Sequence, residues 1–194
     1  MDEYFEAPIV STPLSLLDCV PVASGGEALI ISNAKSSSAI DIRVRALKST
    51  YNFDSQLGSG LHTGLQLVAA EFWHESGKQP SSVDVVSTYD DYPAMALAQL
   101  IDLGLIDGEN VATEIDAIVA GKRFALNTSG GQLSAGQAGA AGGLHGLVEV
   151  VRQLAGLAGA GQIVDAKIGL ATGYGMVAYR YGACSNSVLL EVGP

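Results

Sequence analysis

Asn127-Thr128-Ser129-Gly130-Gly131-Gln132-Leu133-Ser134-Ala135-Gly136-Gln137 is the stretch on which the fold turns. Its glycines continue to Gly143, after which Leu144, Leu147, Val148, Val151 and Leu154 recur at the spacing of one apolar helix face. A glycine-rich loop running into a helix start exposes backbone N–H groups that favour an anion. The loop is neither of two common phosphate cradles, since it has no Gly-Lys-Ser/Thr and its glycines do not follow G-x-G-x-x-G.

Outward from the loop, the chain alternates short apolar runs with helical patterns. Upstream, Phe124 to Leu126 leads in as a strand, and Asn110 is placed to cap a helix through Ala120. Pro93 suits the first turn of a helix carrying Met95, Leu97, Leu100, Ile101 and Leu103 and closed by Gly104. Ser82 to Ser87 reads as a short strand, and Leu61, Leu65, Val68, Ala69 and Phe72 mark a helix ending near Gly77. Ile40 to Leu47 reads as a half-exposed strand with Ile40, Ile42, Val44 and Ala46 on one face, and Ala28 to Ser32 as a buried strand after Gly25-Gly26. Downstream, Lys167 to Ala171 and Ser187 to Val192 are strands flanking the segment Tyr174 to Cys184. The order β-β-α-β-α-α-β-α-β-β predicts a layered α/β domain over residues 1–194.

At 194 residues and 48% hydrophobic composition the chain can bury a substantial core. Twenty-four glycines and only 15% charged residues leave a surface rich in small and apolar groups, which predicts a partner face. A net charge of −10 with ten scattered Lys and Arg excludes a nucleic-acid footprint. No run approaches the roughly 20 apolar residues of a membrane span. Met1 to Glu6 carries Asp2, Glu3 and Glu6 where a signal peptide needs a basic start, so a cytoplasmic location is expected. Cys19 and Cys184 lack metal-ligand spacing and are expected to be buried hydrophobes. His62 and His74 are read as solvated helix ends, Trp73 as core or interface, and His145, beside apolar Leu144, as outside the chemistry.

Asn127-x-x-Gly130-Gly131, then Leu133-Ser134-x-Gly136, a Gly/Ala run and an amphipathic helix resemble the active-site loop of the thiolase superfamily. The resemblance extends to Pro13-Leu14-x-Leu16-Leu17-Asp18-Cys19, to Gly25-Gly26-x-Ala28 and to a terminal loop Gly173-Tyr174-Gly175. It implies the second of two pseudo-symmetric halves of an α/β/α/β/α fold, with a mixed sheet covered by helices. The branch most similar is that of sterol-carrier-type thiolases and lipid-transfer-protein aldolases. Where that family has Gly-His-Pro, this chain has Gly136-Gln137-Ala138, and a glutamine cannot take a proton near neutral pH. Where sterol-carrier-type thiolases have His-Asp-Cys-Phe it has Tyr89-Asp90-Asp91-Tyr92, and where other thiolases have Cys-x-Gly it has Tyr174-Gly175.

With the imidazole and both thiols gone, the resemblance implies retro-aldol cleavage of a β-hydroxyacyl-coenzyme A, which needs no cysteine nucleophile. It implies catalytic roles for Tyr174, Tyr92 and Asn127. It also implies acyl-coenzyme A contacts at Gly130, Gly131, Gly136, Gln137, Gly173 and Gly175. Asp91 is read as the cap of the helix that begins at Pro93. No metal or separate cofactor is implied, coenzyme A being part of the substrate. The implied partners are an N-terminal thiolase half or homologous subunit, and a zinc-ribbon/OB-fold protein of the kind found with these aldolases. Two other functions stay open: thiolase-type acyl transfer with the nucleophilic cysteine on a partner half, and a non-catalytic structural subunit of a heteromeric complex.

Overall fold

Val85-Val86-Ser87 is buried at all three positions, as expected for a central strand covered on both faces. In a computed structural model of the protein, which describes residues 2–33, 40–53, 61–178 and 181–193, this strand lies inside a five-stranded mixed sheet. A short helix α1 (Asp2–Glu6) and a hairpin of β1 (Ile9–Ser11) and β2 (Leu14–Ser15) precede it. Then come β3 (Ile42–Tyr51), α2 (Leu65–Ser76), β4 (Val85–Ser87), α3 (Pro93–Asp102), α4 (Val111–Val119), β5 (Ala125–Leu126) and α5 (Gly131–Ala135). The chain closes with α6 (His145–Leu154), β6 (Ile168–Ala178) and β7 (Tyr181–Val192). The strand order is β3-β7-β6-β4-β5; β4 is parallel to both β5 and β6, and β7 is antiparallel to β3 and β6.

Alternation along the strands divides the core into two layers. On one face Val86, Leu170 and Leu189 pack with Leu65 and Phe72 of α2 and Leu100 of α3. On the other, Val85, Ala171, Val188 and Leu190 pack with Val150 and Leu154 of α6. Gly169 lets α6 lie close, because a Cβ there would come within 2.4 Å of the Val150 side chain. Trp73 belongs to the first layer, its indole N–H donating to the Leu103 carbonyl at 2.8 Å.

Several expectations from the sequence are corrected. Residues 28–32 form no strand, and Ile30 and Ile31 are 97% and 88% exposed. An apolar run alone does not supply a hydrogen-bonding neighbour, and these isoleucines are the kind of surface a partner covers. In β3 the register slips between Val44 and Ala46, so Ala46 is buried while Val44 is exposed, although both were placed on one face. The segment Gly173-Tyr174-Gly175 is not a loop: β6 runs through it, Tyr174 opposite Ser185 in an unbroken antiparallel ladder. Cys19 and Cys184 are half-buried free thiols facing the carbonyls of Ser15 and Gly175. His74 is exposed, but His62 is more than a solvated terminus: Nδ1 lies 2.8 Å from the buried Asp102 carboxylate, which also accepts the Thr63 hydroxyl and backbone N–H. Asn110 begins α4 without a side-chain cap bond, its amide going to Asp107.

Candidate active site

β4, β5 and β6 are parallel, so their carboxyl ends share one edge of the sheet, where open α/β sheets bind ligands. Asn127 follows β5 directly with φ 45°, a left-handed backbone that asparagine tolerates better than most residues. Its backbone N–H donates to the Val86 carbonyl at 2.8 Å, and its Oδ1 accepts the Thr88 N–H at 2.8 Å. The side chain thus clamps the end of β5 to the end of β4 instead of bonding its own turn.

Beyond Asn127 the chain turns through Gly130 and Gly131 into α5, and Asp90 fills the concave side of that turn. Asp90 is 3% exposed and accepts the N–H groups of Gln132 at 2.8 Å and Leu133 at 3.4 Å. Asp90, not Asp91, is therefore the capping carboxylate, and it caps α5 across space. Tyr92 begins α3, with no side-chain cap bond there. Gly131 has φ 64°, and a Cβ on it would stand 2.0 Å from Asp90 Oδ2.

Burial raises the Asp90 pKa, and its bonds to the Gln132 and Leu133 N–H groups oppose this only in part. A carboxyl that holds its proton more tightly folded than unfolded contributes most to stability below its unfolded pKa and loses that contribution as pH rises through the folded value. Melting of the protein and of Asp90→Asn should therefore show the native chain's advantage greatest at the acid end of the carboxylate range. An advantage that grows as pH rises would contradict this.

Asp91 points elsewhere. Gln137 Nε2 donates to Asp91 Oδ1 at 2.9 Å and contacts the Tyr89 hydroxyl, joining three polar side chains in a half-buried cluster. The Gln137 backbone is held too: its N–H donates to the Pro21 carbonyl at 2.9 Å, and its carbonyl accepts the Ala23 N–H at 3.1 Å. Burial, reinforced by the adjacent Asp91 charge, pushes the Tyr89 phenol up to about 12, so Tyr89 is a proton donor at neutral pH. Burial also raises Asp91, against the bonds from Tyr89 and Gln137. The cluster holds a phenol that keeps its proton beside a carboxylate of increased basicity, and the carboxylate is the member suited to accept a proton.

Gln99 of α3 ties this cluster to β6. Fully buried, it accepts the Tyr89 N–H at 3.3 Å and the Thr172 hydroxyl at 2.7 Å, and donates to the Tyr89 and Met95 carbonyls at 2.7 Å each. Thr172 is one residue past the last β4–β6 pair, Ser87 with Ala171, and Tyr174 is two further on along the same face. Tyr174, 7% exposed, therefore stands at the end of the sheet occupied by Tyr89 and Asn127. Replacing Gln99 with leucine leaves up to four buried groups without partners, each costing about 1–3 kcal/mol when wholly unsatisfied. With partial relaxation, urea unfolding should show Gln99→Leu destabilised by about 2–4 kcal/mol. A change below about 0.5 kcal/mol, the scale of an ordinary surface substitution, would show that the amide bonds are dispensable.

Of the residues singled out from sequence, Asn127, Gly130, Gly131, Gly136 and Gln137 lie on the loop that meets the 88–92 segment, and Tyr92 stands at the start of α3. Tyr174, Gly173 and Gly175 lie within β6. The residue overlooked was Tyr89. Its one sequence signal was its place at the head of Tyr89-Asp90-Asp91-Tyr92; the contact with Gln137, 48 positions away, is not readable locally. Among the described residues, no group of three or more His, Cys, Asp or Glu is placed to hold a metal ion, and no helix is long and apolar enough to cross a membrane.

Known proteins resemble this chain in sequence and fold. The chain is 31% identical over 160 residues to the 17-hydroxy-3-oxo-4-pregnene-20-carboxyl-CoA lyase of Mycobacterium tuberculosis, covering 76% of this chain and 40% of that protein. It is 29% identical over 190 residues to sterol carrier protein 2 of Rattus norvegicus, covering 91% of this chain and 35% of the relative. The chain thus spans well under half the length of these relatives. The fold is that of a solved Ltp2-ChsH2 aldolase, matched with a TM-score of 0.74 at 22% identity over 98% of this chain and 50% of the other. A family model described as thiolase C-terminal domain-like matches residues 49–184, and the chain belongs to that family.

Proposed function

We propose that this chain is one half of a thiolase-fold enzyme that cleaves the bond between Cα and Cβ of a β-hydroxyacyl-coenzyme A by a retro-aldol reaction. The observation that carries the reading is the Tyr89–Asp91–Gln137 cluster beside the Asn127 loop, a carboxylate of raised basicity held by an amide next to a phenol, with no thiol among them. The names of two relatives, a carboxyl-CoA lyase and a steroid side-chain-cleaving aldolase of Thermomonospora curvata, support it.

Retro-aldol cleavage needs a base for the β-hydroxyl proton, polarisation of the thioester carbonyl and an acid for the enolate that departs. Asp91, its basicity raised by burial, is suited to accept the hydroxyl proton. Tyr174 is suited to return a proton to the enolate, with Tyr89 and Tyr92 as the neighbouring phenols. Asn127 and Gln99 are positioning residues, holding the 88–92 segment against β5 and β6. Gly130, Gly131, Gly136 and Gln137 form the near wall for the coenzyme A thioester; on β6 Gly175 leaves room beside Tyr174, whereas the Asn186 side chain fills the space at Gly173.

An N-terminal thiolase half, in a separate subunit or elsewhere in a longer chain, completes the site. A second partner of the zinc-ribbon/OB-fold kind fits the two-component name of the Ltp2-ChsH2 aldolase. The exposed Ile30 and Ile31 are available for such contacts. The test is reconstitution. This chain alone should yield no carbonyl compound from a β-hydroxyacyl-coenzyme A, and adding an N-terminal half should produce one together with a shortened acyl-coenzyme A. A sedimenting monomer that ignores every such half would contradict the proposal.

A further inference from the structure

His145, the first residue of α6, lies between two residues brought to it from distant parts of the chain. Its Nε2 is 2.9 Å from Ser129 Oγ on the glycine-rich loop, and its Nδ1 is 3.1 Å from Glu27 Oε1 on the segment after Gly25-Gly26. The chemistry of the three groups sets the direction of both bonds. A carboxylate only accepts, so the proton between Glu27 and His145 sits on Nδ1. In the neutral imidazole Nε2 then presents its lone pair, and the Ser129 hydroxyl donates to it.

That is the tautomer and order of a serine nucleophile with its general base and orienting acid, a constellation recognised by geometry rather than by fold. Access fits as well. The side chains of His145 and Glu27 are 19% and 28% exposed, and Ser129 is half-buried. His145 and Glu27, though not Ser129, line a cleft of about 150 Å³ with Gly25, Gly26, Ala138 and Gly142, small residues that leave space beside the imidazole.

We propose that Ser129 is an acylatable nucleophile, activated by His145 and Glu27, for short-chain thioesters and comparably activated esters. Ser129 Oγ attacks the acyl carbonyl carbon as its proton passes to His145 Nε2. The carbonyl–sulfur bond breaks, and the leaving thiolate takes that proton from the imidazolium, giving a free thiol and an acyl-serine. Throughout, Glu27 remains a carboxylate that holds Nδ1–H. Water, activated by His145 in the same way, then hydrolyses the ester. None of the three residues takes part in the Tyr89–Asp91–Gln137 cluster, and all three lie on this chain.

The experiment therefore uses this chain by itself, treated with a fluorophosphonate probe and, separately, with p-nitrophenyl acetate, and mapped by peptide mass spectrometry. One adduct per chain on Ser129 is expected. Ser129→Ala should abolish it, and His145→Gln should slow it by about 10²–10⁴-fold, the usual contribution of a general base. Thermal melts of each variant show whether it is folded. Folded native protein that gives no adduct on Ser129 overturns the proposal. So does labelling that His145→Gln leaves unchanged, and so does a His145→Gln variant that loses stability while the native chain is unlabelled, which would make the contact a structural tie.

Discussion

Tyr174→Phe, introduced into the assembled enzyme, is expected to lower turnover of a β-hydroxyacyl-coenzyme A by about 10²–10⁴-fold, the range general acid–base catalysis contributes. The substitution keeps the ring in its buried place on β6 and deletes only the hydroxyl. Folding should therefore change little, and an altered melting curve would signal a structural hydroxyl instead. The loss should fall on kcat more than on KM, because the proton is delivered in the transition state. Tyr92→Phe is the comparison: at the first-turn boundary of α3 it should cost less. Full retro-aldol activity in Tyr174→Phe would remove this residue from the mechanism and favour a subunit that shapes a partner's site.

Gly131→Ala should be the most damaging single change to the loop. The backbone there has φ 64°, which costs an L side chain about 1–2 kcal/mol, and the new methyl would lie 2.0 Å from Asp90 Oδ2. Asp90 has little freedom to retreat, since it is buried and bound to the N–H groups of Gln132 and Leu133. Overpacking of this kind costs a further 1–3 kcal/mol or so. A total destabilisation of about 2–5 kcal/mol is expected from denaturant unfolding, with turnover lost in the molecules that still fold, because Gln137 and the 88–92 segment share the displaced loop. A variant as stable as the parent would show that the loop relaxes freely.

Much of this architecture is legible locally. Pro93 and Gly104 bracket α3, and the apolar stripe after Gly143 marks α6, because helix periodicity and punctuation act within a few turns. The strands were legible as elements but not as neighbours. Residues 28–32 have strand composition without a strand to pair with, and β6 continues through Gly173-Tyr174-Gly175 because β7 pairs with it residue for residue. A ladder overrides the local turn signal of two glycines.

The site shows the same limit. Its loop could be found from the order of Asn127, Gly130, Gly131 and Gln137, yet the capping role expected of Asp91 belongs to Asp90. Sequence places Asp91 closer to Pro93, whereas folding carries α5 back onto Asp90 and Gln137 onto Asp91. Tyr89 is raised to about 12 chiefly by burial, with the neighbouring Asp91 charge adding to it, and burial depends on packing that the local sequence does not show. His145 looked like packing until Ser129 and Glu27 were seen on its two nitrogens.

The central claim is that the proton-handling residues of this half serve carbon–carbon cleavage without a thiol nucleophile. It is tested most directly by giving the reconstituted complex, with free coenzyme A present, a matched pair of thioesters of one acyl chain, one β-hydroxy and one β-keto. The β-hydroxy thioester is expected to be cleaved to a carbonyl compound and a shortened acyl-coenzyme A with no consumption of free coenzyme A, and the β-keto thioester to undergo no cleavage that consumes coenzyme A. Cleavage of the β-keto thioester with one coenzyme A consumed per turnover, while the β-hydroxy thioester survives, would contradict it.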